Sequence, residues 1–333
     1  MEPEGGIGPE RPASLPTGPH PTIGPGTVRM PRWPGPLLGV GGAILFIGAL
    51  TALALVGEGA LSVENPAALG VLAMAGGILA VAGLVYASVR QLRVRRFLAP
   101  DRYRGPSVFL LLALVLVVTN LLAVPFLDEM AGLITGEDLS LIGSAVLLVS
   151  TQVSLLLVTW LFILRPRALA DVRFPGIDTP RAVRMGLAWG IIAWVVGAAV
   201  SFVVVAVLDA LGIEPTPQTA EQALRIIDPL VAVPAIVVVA PIAEELFFRG
   251  VVFNAWLREG GRRAAYLGSS ALFGAIHLNL AVFLPILVIS LIFAWIYERT
   301  RNLWAPILAH AVFNAVNVAI FYLEEYGIIR LPF

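Results

Sequence analysis

Long apolar runs separated by short polar segments dominate the chain. An apolar run of about 18 residues or more is long enough to cross a bilayer as a helix. Nine candidate spans are predicted, the seventh and eighth being short, at about 37–56, 66–88, 107–127, 139–164, 185–208, 230–257, 264–279, 281–297 and 303–323. The pattern therefore predicts an all-α, polytopic helical membrane protein with about eight to nine transmembrane helices.

The composition agrees with a membrane protein. The chain of 333 residues is 58% hydrophobic and 13% charged, with a mean hydropathy of +0.89, whereas soluble domains carry about a quarter charged residues. It contains no cysteine, which excludes disulfides and thiolate metal sites. The formal net charge is zero, so we expect no nucleic-acid partner.

The hydrophobic pattern divides the chain into three parts. Residues 1–34 are rich in proline and glycine and poor in large apolar residues, which predicts a disordered tail rather than a cleaved signal peptide. Residues 37–164 form a four-helix N-terminal membrane region. A polar linker leads to a second membrane region at 185–323.

Arginine placement predicts the orientation, because cytoplasmic loops carry an excess of positive charge. With the amino terminus in the cytoplasm, all but three of the 22 arginines lie on the cytoplasmic side. The exceptions are Arg225 and Arg330 outside and Arg249 within the membrane. We therefore expect a cytoplasmic amino terminus and an external carboxyl terminus. All basic side chains are arginine, and this arginine-only, proline-rich character favours a bacterial plasma membrane.

Polar residues are distributed unequally between the two membrane regions. The first four spans contain only neutral polar groups, for which hydrogen bonding between helices is a sufficient role. These are Thr119, Asn120, Ser150, Thr151, Gln152, Ser154 and Thr159. The last four spans contain Glu244, Glu245, Arg249, His277, His310 and Asn314. Ionisable groups inside a membrane are costly, so the second region should carry the function.

Four of these side chains are predicted to lie at similar depth. Counted from the cytoplasmic helix ends at about 1.5 Å per residue, Glu244 lies roughly 21 Å deep and His277 roughly 20 Å. His310 lies roughly 12 Å deep and Asn314 roughly 18 Å. Their common depth predicts a shared site.

The two adjacent glutamates should have different roles. Glu245 and Arg249 are spaced i, i+4 with the acid first, which favours an ion pair along one helix face. Glu244 is rotated by about 100° from Glu245 and should face a cavity. Pro241, one turn earlier, removes a backbone hydrogen bond and should loosen the helix.

These residue types suit the hydrolysis of a peptide bond by an activated water. A carboxylate and a histidine can take a proton from water, while a second histidine and an amide can donate to an oxyanion. The alternative is a zinc ion held by Glu244, His277 and His310 with water as fourth ligand. HExxH is absent. Water activation without a metal is preferred because it gives all four groups a role.

Three short motifs carry a resemblance to a known family. "EELFFR" (244–249) fits EExxxR, "FGAIH" (273–277) fits FxxxH, and "HAVFN" (310–314) fits HxxxN. In this order the chain resembles the CPBP family of intramembrane proteases, which includes type II CAAX prenyl endopeptidases and bacteriocin-immunity proteins. The resemblance covers roughly 185–323.

The resemblance implies an intramembrane endopeptidase acting on a membrane-associated protein or peptide. It implies that Glu244 and His277 activate water and that His310 and Asn314 stabilise the oxyanion, with Glu245 and Arg249 completing the first motif. A metal-dependent member remains an alternative. Two other functions remain open: a non-catalytic immunity or scaffold protein, and a secondary transporter, since broken helices and midplane charges also mark transporters.

Overall fold

The fold of the chain was analysed in a computed structural model. It describes residues 41–42, 45, 66–95, 105–126, 141–165, 178–212, 219–277 and 279–329. Within these ranges the secondary structure is entirely helical, as the sequence predicts. The predicted tail at 1–34 and nearly all of the predicted first span at 37–56 lie outside the described residues.

Eleven α-helices follow one another in the described residues. They are α1 Pro66–Arg95, α2 Val108–Ala123, α3 Leu141–Thr159, α4 Thr179–Ala210, α5 Thr219–Ile226, α6 Pro229–Pro234, α7 Ala240–Glu245, α8 Asn254–Arg263, α9 Ser269–Ala275, α10 Leu280–Thr300 and α11 Trp304–Glu325. Wider π-type turns continue α3 and join α6 to α9. The ends follow local chemistry: the Asp178, Asp228 and Asn279 side chains accept from backbone N–H groups that would otherwise lack partners.

Six helical stretches among the described residues are long and apolar enough to cross a membrane, which supports the prediction of a polytopic membrane protein. The count of eight to nine is not confirmed. The predicted spans 230–257 and 264–279 lie in one helical stretch at Pro229–Ala275. The apolar part of α3 and its wide turn, Leu148–Leu164, is shorter than 18 residues.

The helical stretch Pro229–Ala275, called the rod below, is irregular in two ways. Its helical turns widen at Ala235–Val239, Leu246–Phe253 and Ala264–Gly268. Its direction breaks at Gly261, which has φ 78° and ψ −172° inside α8. A positive φ is easily adopted only by glycine. The stretch of 47 residues therefore consists of two helical parts that meet at Gly261, between the two spans predicted at 230–257 and 264–279.

Helix α4 packs against α10 and α11, and glycine permits the close contact with α11. A Cβ atom on Gly190 would lie 2.6 Å from Val312 Cβ and 2.8 Å from Ala309 O. One turn earlier, a Cβ on Gly186 would lie 2.6 Å from Ala305 O. Small residues that let helix backbones approach are typical of membrane packing. The contact fixes α11, which carries His310 and Asn314.

We expect Gly190→Ala to lower the melting temperature, because the added methyl group collides with α11 at a cost of about 1–3 kcal/mol. Gly70→Ala in α1 is the control, since a methyl group added there would have no atom within 4 Å. Alanine is also the better helix former there. Thermal unfolding of the purified protein in detergent measures both, and equal melting temperatures would refute the close α4–α11 contact.

The N-terminal region contacts the rod through α3. Helix α3 packs against α2 on one side and against α6, α7 and the adjoining wide turns on the other. Leu155 and Val158 share a buried cluster with Phe247 and Phe248 of the rod. Helix α3 is therefore a direct neighbour of the segment that carries Glu244 and Glu245.

Candidate active site

The two glutamates of the first motif occupy different environments at the end of α7. The Glu245 side chain is completely buried, whereas that of Glu244 is 12% exposed and lines a cavity. The structure therefore separates the faces of these neighbours, and their roles as a base and a structural residue stay predictions.

Glu245 lies at the centre of a buried polar network. Its Oε1 atom accepts from Arg249 at 2.8 Å and lies 3.0 Å from His310 Nδ1. The spacing along the helix predicts a partner for Glu245 in Arg249 alone. The additional contact with His310 arises because α11 packs against α7, a tertiary contact that spacing along one helix could not reveal.

Arg249 is held by hydrogen bonds and by aromatic rings. Its second terminal nitrogen donates to the backbone oxygen of Ser290 at 3.0 Å and to its hydroxyl at 2.7 Å. The guanidinium carbon lies 4.8 Å from the ring centre of Phe273 and 5.5 Å from that of Phe293. Both contacts lie within cation–π range. Arg249 is 1% exposed, so these groups replace water around its charge.

His310 is oriented by Glu245 and stacked on a phenylalanine. A carboxylate only accepts hydrogen bonds, so His310 Nδ1 carries the proton directed at Glu245. The other nitrogen, Nε2, lies 4.0 Å from Glu244 Oε2, which is longer than a hydrogen bond. The imidazole stacks on Phe293 with ring centres 5.3 Å apart. His310 therefore lies between the two glutamates, with one ring nitrogen towards each.

His277 lies in the turn after α9 and lines the same cavity as Glu244. Its Nδ1 atom is 2.8 Å from Phe273 O. Because a carbonyl oxygen can only accept, this contact assigns the proton to Nδ1 and leaves Nε2 as an acceptor. Phe273 also packs against the ring at 5.1 Å. The imidazole is thus suited to accept a proton at Nε2.

The Asn314 side chain bonds to a backbone oxygen of the rod, that of Ile236, which lacks a helical donor because residue 241 is proline. In the wide turn before α7, the N–H of Ala240 bonds to the oxygen of Ala235, five residues earlier. Continuing this register would pair Ile236 O with residue 241, but proline has no N–H. Asn314 Nδ2 donates to Ile236 O instead, at 2.8 Å. Its second amide hydrogen remains for another acceptor.

A cavity of about 1620 Å³ joins these groups. Glu244, His277, His310 and Asn314 all contribute to its wall. Glu245 and Arg249 are not among its lining residues and instead lie in the packed interior behind it. The structure thus brings the four predicted groups to one cavity and keeps the ion pair apart from it.

The zinc alternative does not fit this arrangement. Within the ranges that the structure describes, no three His, Asp or Glu side chains are grouped so that they could hold a metal ion.

Several residues of the site were not assigned by sequence reasoning. Ser290 and Phe293 hold Arg249 from α10 but stand in an apolar stretch without a distinguishing pattern. Asn254 donates to the oxygens of Arg249 and Gly250 and to the Tyr297 hydroxyl, which satisfies backbone groups near the end of a wide turn. A polar residue ten positions after Glu244 in an apolar span was the available signal for Asn254.

Comparison with known proteins places the strongest similarity on this region. Residues 226–316 match the family model described as "Type II CAAX prenyl endopeptidase Rce1-like". This range contains all three motifs and excludes α1 to α4 and most of α5.

Two curated relatives are similar to part of this chain. "Putative membrane peptidase YdiL" of Bacillus subtilis strain 168 is 35% identical over 102 residues, or 29% of this chain and 42% of the relative. "UPF0177 protein YxdF" of Lactococcus lactis subsp. lactis strain IL1403 is 31% identical over 78 residues, or 23% of this chain and 42% of the relative.

The matches thus span 42% of the length of each relative. No solved structure matches the chain significantly. The family resemblance of the three motifs is nevertheless supported by the family model and by both relatives. The segment of this chain that contains the candidate site is therefore similar to the type II CAAX prenyl endopeptidase Rce1-like family, which supports its resemblance to the CPBP family.

Proposed function

We propose that this protein is an intramembrane endopeptidase that hydrolyses a peptide bond of a membrane-associated protein or peptide. The observation that carries the proposal is the meeting of Glu244, His277, His310 and Asn314 at one cavity within a helical membrane fold. The family match supports the same reaction class. The proposed location is a bacterial plasma membrane, with the amino terminus in the cytoplasm.

The proposed reaction begins with water activation. Glu244, together with His277 Nε2, takes a proton from a water molecule, and the oxygen of that water attacks the carbonyl carbon of the scissile bond. The carbonyl electrons move to its oxygen, giving a tetrahedral oxyanion. Collapse of this intermediate breaks the C–N bond. The transferred proton passes to the leaving nitrogen, so the products are a carboxylic acid and an amine, and transfer of the acid proton to the amine gives a carboxylate and an ammonium group.

His310 and Asn314 are the proposed donors to the oxyanion. Since His310 Nδ1 is directed at Glu245, only Nε2 can serve, and it must then carry a proton as well. Glu244, Glu245 and Arg249 sum to a formal charge of −1, so an imidazolium brings the group to neutrality. Asn314 offers the amide hydrogen that Ile236 O does not take. Glu245 acts as a positioning residue for His310.

The test is the appearance of new peptide termini. Membranes from cells that contain the protein are compared with membranes containing His277→Ala by sequencing of amino termini. We expect defined termini that only the wild-type protein generates, because removal of His277 removes a proton acceptor without touching the Glu245–Arg249 pair.

Identical termini in the two membrane preparations would contradict the peptidase proposal. Binding of a membrane protein without cleavage would instead identify an immunity or scaffold protein. Solute accumulation in vesicles that His277→Ala does not support would identify a transporter.

A further inference from the structure

The cavity wall contains a polar group that lies outside the family-matched segment. Thr151 and Gln152 of α3 line the same cavity as Glu244 and His310. The family match begins only at residue 226, so these two residues belong to the N-terminal membrane region. This wall exists because α3 packs directly on α7 and its flanking wide turns.

Gln152 is the residue of α3 that both lines the cavity and carries a buried polar atom without a partner. The sequence predicts a hydrogen bond to a neighbouring helix, yet its buried Oε1 atom has no partner among the described residues. Ser154, by contrast, donates to Ser150 O at 2.7 Å within the same helix. Among the described side chains that line the cavity, Gln152 provides the one buried polar atom without a partner.

A buried acceptor without a donor is unfavourable, and such groups in native proteins usually receive a partner from a ligand or from water. Gln152 lines the cavity together with Glu244, so water or another molecule in the cavity is available as the partner. An extended peptide segment supplies backbone N–H donors regardless of its side chains.

We propose that Gln152 is a substrate-binding residue, whose Oε1 accepts a hydrogen bond from a backbone N–H of the peptide segment held next to Glu244. This inference rests on the proposed peptidase function. It assigns to the N-terminal membrane region a direct part in holding the substrate in register with the attacking water. Gln152 contributes no proton transfer.

The experiment combines an enzyme variant with a modified probe. The probe is a fluorogenic peptide ending in a farnesylated Cys-aliphatic-aliphatic-X sequence, prepared with each backbone N–H methylated in turn. Binding is measured on the Glu244→Gln protein in nanodiscs, with and without Gln152→Met, so the measurement does not depend on hydrolysis. Ser154→Ala is the control, because Ser154 lies on the same helix but does not line the cavity.

We expect Gln152→Met to weaken binding about fivefold, the effect of one neutral hydrogen bond. One methylated position should weaken binding by a similar factor with Gln152 present and have no further effect in the Gln152→Met protein. This non-additivity identifies the donor. Ser154→Ala should bind like the parent protein.

Equal binding by the parent protein and its Gln152→Met form would overturn the proposal, as would additive effects at every methylated position. In the proteins that retain Glu244, Gln152→Met should raise the KM for peptide cleavage and change kcat little. Failure of wild-type protein to cut any peptide would count against the peptidase function alone, since the binding cycle is read without hydrolysis.

Discussion

Replacing Glu244 with glutamine should reduce peptide hydrolysis by about 10²–10⁴-fold while the protein remains folded. Glutamine keeps the size of the side chain but cannot accept a proton from water, and a positioned general base contributes typically 10²–10⁴-fold. Glu244 faces the cavity with a 12% exposed side chain, so the substitution buries no new unpaired charge. The measurement is the initial cleavage rate of purified protein in proteoliposomes, with its melting temperature.

A second carboxylate provides the matched control. Glu221 lines the outer part of the same cavity but pairs with Arg225 at 3.0 Å, and its side chain is 41% exposed. Glu221→Gln should therefore retain most of the activity. If Glu244→Gln kept more than a tenth of the wild-type rate at an unchanged melting temperature, Glu244 could not be the base.

Replacing Arg249 with alanine should destabilise the protein far more than Glu244→Gln does. The Arg249 side chain is 1% exposed and its partner Glu245 is 0% exposed. Removing the guanidinium takes away the closest positive charge from the buried Glu245 carboxylate, and breaking comparable buried pairs costs about 3–5 kcal/mol. It also removes the hydrogen bonds to Ser290. We expect a large fall in melting temperature and in the yield of folded protein.

Arg262 provides the control, because it forms an ion pair of similar length at the protein surface. It pairs with Glu298 at 2.6 Å, but its own side chain is 64% exposed, and exposed ion pairs contribute about 0–1 kcal/mol. Arg262→Ala should therefore change the melting temperature little. A double variant, Glu245→Gln with Arg249→Met, should recover part of the lost stability because no unpaired charge remains. Equal melting temperatures for Arg249→Ala and Arg262→Ala would refute the role of the buried pair.

The sequence by itself determined the kind of protein and the members of the candidate site. Long apolar runs predict helices in a membrane because backbone groups in lipid must be satisfied within each segment. The cost of ionisable groups in that setting made Glu244, Glu245, Arg249, His277 and His310 conspicuous. The i, i+4 spacing also predicted the contact between Glu245 and Arg249, since residues on one helix face are neighbours by geometry alone.

The number of spans was less predictable. The stretch Pro229–Ala275 is long enough for two spans, and its kink at Gly261 lies between the two that were predicted, but it counts as one continuous helical stretch. A hydropathy pattern measures the mean polarity of a segment and does not report how its backbone continues. The wide turns on either side of α7 are likewise invisible to it, although Pro241 indicated that the helix there is irregular.

Only the tertiary structure decided how the site residues contact one another. It set His310 Nδ1 on Glu245 and Asn314 on the carbonyl of Ile236. It also placed Gln152 in the cavity wall with a buried side-chain oxygen that lacks a hydrogen-bond partner. These contacts join helices that are distant in sequence, and their geometry depends on packing such as the close approach at Gly190. Spacing along one helix fixes which residues share a face, whereas the partner of that face is chosen by the packing of the whole bundle.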